Sequence, residues 1–203
     1  MRRLAAAAAL LLLTGCATTP LPAGSEYVAL GSSFAAGAGI PPLAQDRPAR
    51  CGASTASYAR VLASRLGLRL ADASCGGATS AHLLGPWDEL SPQIDAVTQA
   101  TRLVTITIGG NDLGYMGVLF AGSCHAGVWR DRLVDPATGQ CRAVAAPQPE
   151  AFAALERDLA AALVAIRERA PDARVILVQY PALVGQEPCL LAPLSAEHAA
   201  IAS

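Results

Sequence analysis

Apolar residues recur along this chain with two different periods. Glu26 to Gly31 is a short, nearly continuous apolar run, as in a strand buried on both faces. Leu68 to Ser74 is a second candidate strand. "RLVTITIGG", Arg102 to Gly110, alternates and is β-branched, and "ARVILVQYP", Ala173 to Pro181, is again apolar almost throughout. Helical spacing fills the intervals. Tyr58, Val61, Leu62 and Leu66 share a face of Thr55 to Leu66, and Gly67 follows as a stop. Ser91 to Ala100 predicts a helix with Pro92 in its first turn, and Asp112 to Ala121 a short one. Pro149 to Ala170 places Phe152, Leu155, Leu159, Leu163 and Ile166 on one side of an amphipathic helix. Gly122 to Pro149 is long for a loop in a compact domain, which signals function or a disulfide staple. Strands alternating with helices predict an α/β domain with a central parallel sheet covered on both sides. In such sheets ligands meet the carboxyl ends of the strands.

The first residues break this pattern. Arg2 and Arg3 precede the apolar Leu4 to Leu13, too short a run to cross a bilayer, so export is the reading. Leu13-Thr14-Gly15-Cys16 resembles a bacterial lipobox, with Cys16 the lipidated first residue of the mature chain; ordinary cleavage after Ala17 is the alternative. The expected organisation is a signal peptide over 1–16, a linker over 17–25 and one domain over 26–203. A length of 203 residues suits one core rather than two. The expected place is outside the cytoplasm, on a membrane through the lipid anchor, or else secreted and soluble; a monomer is expected. With 15% charged residues, a net charge of -1 and 4% aromatics, nothing favours nucleic acid.

The remaining cysteines fit an oxidising compartment. Cys51 and Cys75 bracket the first helical segment, and Cys124 and Cys141 a polar loop, so two disulfides are expected, each worth about 3 kcal/mol. Cys189 is left over. No C-x-x-C or His/Cys cluster suggests a metal, and no cofactor is implied. The glycines do not make a phosphate loop, because Pro41-Pro42 follows Gly39 and no Gly-Lys-Ser/Thr occurs. An α/β-hydrolase elbow fails at Ala35.

Three predicted strands end in Gly31-Ser32-Ser33-Phe34, Gly76-Gly77-Ala78-Thr79 and Gly109-Gly110-Asn111-Asp112. In this order and spacing, over about Glu26 to Pro193, the sequence closely resembles the SGNH (GDSL-type) hydrolases of the exported bacterial esterase and lipase branch. The resemblance implies a three-layer, flavodoxin-like sandwich around a parallel sheet, with its C-terminal part missing here. It makes Ser33 the nucleophile, and Ser33 N–H, Gly77 N–H and the Asn111 side chain the oxyanion hole; Gly76 is a possible substitute for Gly77. The chemistry agrees. Acyl transfer needs donors aimed at a developing oxyanion, glycine lets backbone approach closely, and an Asn amide donates without carrying charge. One departure is Ser32, where the family pattern has Asp.

A serine nucleophile also needs a base. The family places it in a C-terminal Asp-x-x-His, yet Thr79, Gly122 and Ser195 stand three residues before His82, His125 and His198. His198 reads as a surface residue of an exposed helix opening near Ser195; His82 and His125 remain as unorthodox bases. The absent motif, the odd Cys189 and that interrupted helix suggest the N-terminal portion of a longer esterase, nearly inactive by itself, since loss of the base costs about 10⁶ in turnover. The expected activity is ester hydrolysis through an acyl-serine, on a lipid, a short-chain ester or an acetylated glycan. A non-catalytic surface lipoprotein that keeps the fold as a binding module is the alternative.

Overall fold

The computed structural model describes residues 20–128, 130–143, 145–181 and the positions 194, 198, 200 and 201. The signal peptide with Cys16, the start of the linker, Cys189 and the Ser195 helix opening lie outside the described residues. In chain order the elements are β1 (Glu26–Gly31), α1 (Ser33–Ala36), a 3₁₀ turn (Ala49–Cys51), α2 (Tyr58–Leu66), β2 (Arg69–Asp72), α3 (Ala81–Leu84), a 3₁₀ turn (Gln93–Ala96), β3 (Thr101–Thr107), α4 (Tyr115–His125), α5 (Arg130–Leu133), α6 (Pro149–Arg169) and β4 (Arg174–Leu177).

The four strands form one parallel sheet in the order β2-β1-β3-β4. Val28 pairs with Val104 and Ile106 with Leu177, so β1 and β3 are the inner strands. Their side chains divide by the period of two. Val28, Leu30, Val104 and Ile106 face Leu83, Ile94, Val97 and the α6 residues Ala162 and Ile166. Tyr27, Ala29 and Leu103 face Ala59 and Ala63 of α2. Two layers of helix thus cover one sheet, as the sequence pattern predicts. The chain leaves β1 toward β2 on one side and returns to β3 on the other. This reversal puts the crevice of the fold between the carboxyl ends of β1 and β3.

Local chemistry fixes the boundaries. Gly67, with φ +63°, ends α2 by donating to the carbonyls of Ala63 and Ser64. Pro149 opens α6, Glu150 lies in its first turn and Arg167 and Arg169 in its last, matching the helix dipole. Other expectations need correction. Ser91 to Ala100 yields only the 3₁₀ turn, because Thr98 Oγ1 accepts the Ala100 N–H and Thr101 Oγ1 the Thr98 N–H, diverting donors that a helix would use. The β2 pairing is shorter than Leu68 to Ser74. β4 is apolar in sequence yet leaves Ile176 48% and Leu177 51% exposed, since it lies at the sheet edge among the described residues. The long stretch after Gly122 holds the end of α4 and all of α5, and the Cys124–Cys141 disulfide closes it as expected.

Candidate active site

All three loop motifs emerge from the carboxyl ends of β1, β2 and β3, and hydrogen bonds stitch them together. Gly31 has φ +138°, and a Cβ there would collide with the Thr107 carbonyl; only glycine lets β1 turn this close to the end of β3. Gln93 grips the same residue, accepting the Gly31 N–H at 2.6 Å and donating to its carbonyl at 3.0 Å. The Cys75 N–H reaches that carbonyl too, at 3.0 Å, tying the second loop to the first. The Asn111 side-chain nitrogen donates to the Ala78 carbonyl at 2.8 Å, tying the third to the second. Asp112 accepts from the Ser80 N–H and hydroxyl. Asn111 and Asp112 therefore clamp the Gly-Gly-Ala-Thr loop from one side.

Ser33 is the first residue of α1, just past the N-cap position Ser32. Its N–H has no acceptor within the helix, and among the described residues neither that N–H nor its hydroxyl makes a hydrogen bond. The two adjacent glycines behave differently. Gly76 donates its N–H to the Cys51 carbonyl at 2.9 Å, while the Gly77 N–H is unengaged among the described residues. Gly77 takes φ +87° beneath the Trp87 ring, which an added Cβ would meet at 3.1 Å. The Cys51–Cys75 disulfide forms as expected and holds the partner of Gly76 in place. Asn111 spends one amide hydrogen on Ala78, since a carbonyl only accepts, and the second is unengaged among the described residues.

The histidines are elsewhere. His82 Nδ1 accepts the Thr79 N–H at 2.9 Å, and its ring stacks on Trp87 at 4.5 Å. His125 stacks on His198 at 5.3 Å. The surface reading of His198 is corrected: it is only 8% exposed, because the bare Gly122 on α4 leaves room for its side chain. None of the three is hydrogen-bonded to Ser33.

Gln93 and Tyr180 escape sequence reasoning, because each reaches the site from a segment without a motif, while Ser80 directly follows the second motif. Tyr180, just past β4, touches Ser32 Oγ at 2.6 Å and receives the Gly110 N–H at 3.3 Å; its phenol is held above the ordinary tyrosine range, chiefly by burial. A cavity of about 340 Å³ opens beside it, lined by Ile108, Leu113, Val118, Phe152 and Leu155. Phe152, expected on the buried face of α6, is half exposed at the rim of this cavity.

A model of the GDSL-like Lipase/Acylhydrolase family matches residues 29–203. The chain belongs to that family. Among its relatives is Lipase 2 of Streptomyces coelicolor, 37% identical over 161 residues, a match spanning 77% of this chain and 52% of that one. The chain thus spans about half the length of this curated relative. An extracellular lipase from Streptomyces rimosus has a solved structure similar to this GDSL-like fold, with a TM-score of 0.62 and 27% identity over 88% of this chain and 70% of that one. Phospholipase A1 from Streptomyces albidoflavus shares the fold, at a TM-score of 0.64 and 24% identity over 89% and 70% of the two chains. The α/β fold with its parallel sheet is that of this GDSL-like family.

Proposed function

We propose that this chain carries the nucleophile and oxyanion-binding half of a carboxylic ester hydrolase acting through an acyl-Ser33 intermediate. One observation carries the reading: the loops at the strand ends present a hydroxyl and three donors, Ser33 N–H, Gly77 N–H and one Asn111 N–H, that the described protein leaves unengaged. A GDSL-like fold without a catalytic role has no need to keep them so, which favours the enzyme over a binding module. Ser33 Oγ attacks the acyl carbon as its proton passes to a base. The tetrahedral oxyanion receives the three donors, each worth about 3 kcal/mol in the transition state. Collapse expels the alcohol, which takes the proton from the base; water then gives a proton to the base as it attacks the acyl carbon, and that proton passes to Ser33 Oγ as the acid leaves. None of His82, His125 and His198 is hydrogen-bonded to Ser33, and the family resemblance implies that the base is the histidine of an Asp-x-x-His.

The apolar cavity next to Gly110 suits an acyl chain better than an acetylated sugar, so lipid or fatty-acyl esters are the proposed substrates. Two disulfides, and the extracellular lipase among the structural relatives, support an exported protein, with Cys16 as its lipid anchor and a monomeric state as further parts of the proposal. A fluorophosphonate probe applied to the full-length gene product tests the reading. An adduct on Ser33, absent from Ser33→Ala, is expected, together with hydrolysis of p-nitrophenyl esters. No adduct and no hydrolysis would refute it.

A further inference from the structure

Ser32 occupies the helix N-cap but does not cap: its hydroxyl makes no bond to the helix amides. The side chain is fully buried and turns the other way, to Tyr180 Oη at 2.6 Å and the Thr107 carbonyl at 3.5 Å. Tyr180 Oη also lies 3.3 Å from the Gly110 nitrogen. Proton counting sets the direction of this chain. The Gly110 amide only donates and the Thr107 carbonyl only accepts, while each hydroxyl has one proton to give. Both hydroxyls find an acceptor in one arrangement: Gly110 N–H to Tyr180, Tyr180 O–H to Ser32, Ser32 O–H to Thr107. Reversing the central bond would leave the half-buried phenol proton without an acceptor among the described residues.

The two ends of this chain matter. Ser32 precedes Ser33, and Gly110 precedes Asn111. The phenol ring is itself held edge-on by Phe34 at 4.7 Å, and it packs so closely on Gly110 that a Cβ there would meet it at 2.9 Å. We propose that Tyr180 is a positioning residue, which locks the nucleophile turn to the oxyanion-binding loop through a neutral one-way hydrogen-bond chain with Ser32, at the position where the family pattern has a carboxylate. This rests on the reading of Ser33 and Asn111 given above. Burial keeps the phenol protonated, so the lock carries no charge beside the nucleophile.

The test compares full-length wild type with Tyr180→Phe, Ser32→Ala and the double variant, measuring kcat, KM and the thermal midpoint with a p-nitrophenyl ester. Each single change is expected to lower kcat about tenfold or more with KM within about twofold, because a misplaced reacting group costs rate rather than binding. The double variant is expected to be no worse than the poorer single, since both break one chain. Unchanged kcat with a lowered midpoint, a loss confined to KM, or losses that multiply would overturn the proposal. Should Tyr180→Phe fail to fold, Ser32→Ala, which removes one oxygen, decides by the same criteria. If wild type hydrolyses nothing and takes no fluorophosphonate, the functional reading fails rather than the lock. The lock is then read by phenol absorbance. Ser32→Ala must shift the pH at which Tyr180 ionises, and no change in that titration would overturn it.

Discussion

Replacing Asn111 with alanine removes two interactions at once, and the two are separable. One is the 2.8 Å bond to the Ala78 carbonyl, which ties the third loop to the second. Its loss leaves a partly buried acceptor unpaired, at about 1 kcal/mol. For a domain of this size that lowers the thermal midpoint by about 2–4 °C. The other is the second amide hydrogen, which in the proposed mechanism is engaged only when an oxyanion forms. An interaction made only in the transition state lowers kcat and kcat/KM alike. Oxyanion donors of this kind are worth about 10²–10³ in kcat. Asn111→Ala in the full-length gene product is therefore expected to lose two to three orders of magnitude in kcat, with KM nearly unchanged and a small loss of midpoint. Steady-state hydrolysis of p-nitrophenyl butyrate, paired with calorimetry, separates the terms. A variant that shows the midpoint loss but keeps kcat within about threefold of wild type would make Asn111 a loop tie and nothing more.

Gly31→Ala places a methyl group against the Thr107 carbonyl at φ +138°, and a loss of about 2–3 kcal/mol or more in urea unfolding is expected. Reducing Cys51–Cys75, or changing both residues to Ser, opens a link of sequence separation 24; the loop-entropy relation gives a loss of about 3.5 kcal/mol. Ester hydrolysis is expected to fall too, because the Cys51 carbonyl holds Gly76. Burial raises the phenols of Tyr27 and Tyr180 above the ordinary value of 10.0. The unfolded chain then releases these protons first, so their contribution to stability is complete below pH 10 and declines above it. Tyr27→Phe is expected to flatten that alkaline decline in unfolding titrations.

The inner strands were legible because burial on both faces leaves a long apolar run, and Gly31-Ser32-Ser33 shows where β1 must stop. Pro149 to Arg169 was legible through its period and its first proline. Segments whose backbone donors go to their own side chains were not: Thr98 and Thr101 undo the helix expected after Ser91, although composition there favours one. β4 shows a third case. Its apolar residues record a preference for burial, yet exposure depends on which strand lies beside it, a matter of topology rather than composition. At the site, the motif residues could be named in advance because their chemistry is local to three loops. Gln93 and Tyr180 could not, because each is linked to the first loop across 62 and 148 residues of sequence. His198 was misjudged since its burial depends on the missing side chain at Gly122.

The neighbours Asn111 and Asp112 show how such loops divide their work. Both reach the second loop, but the carboxylate meets the N–H and hydroxyl of Ser80, whereas the amide meets a carbonyl. A carboxylate at position 111 would face the Ala78 oxygen with no proton to offer, and would repel any oxyanion. The order Asn then Asp thus sets an acceptor against the Ser80 N–H and a donor against the Ala78 carbonyl, with a neutral N–H left over. A similar economy separates the two glycines: Gly76 uses its N–H to hold the loop to Cys51, while the Gly77 N–H is unengaged among the described residues. Sequence likeness points to Gly77, with Gly76 as a possible substitute. Their hydrogen bonds distinguish them, and the distinction follows from a disulfide-held carbonyl rather than from anything in the glycines themselves.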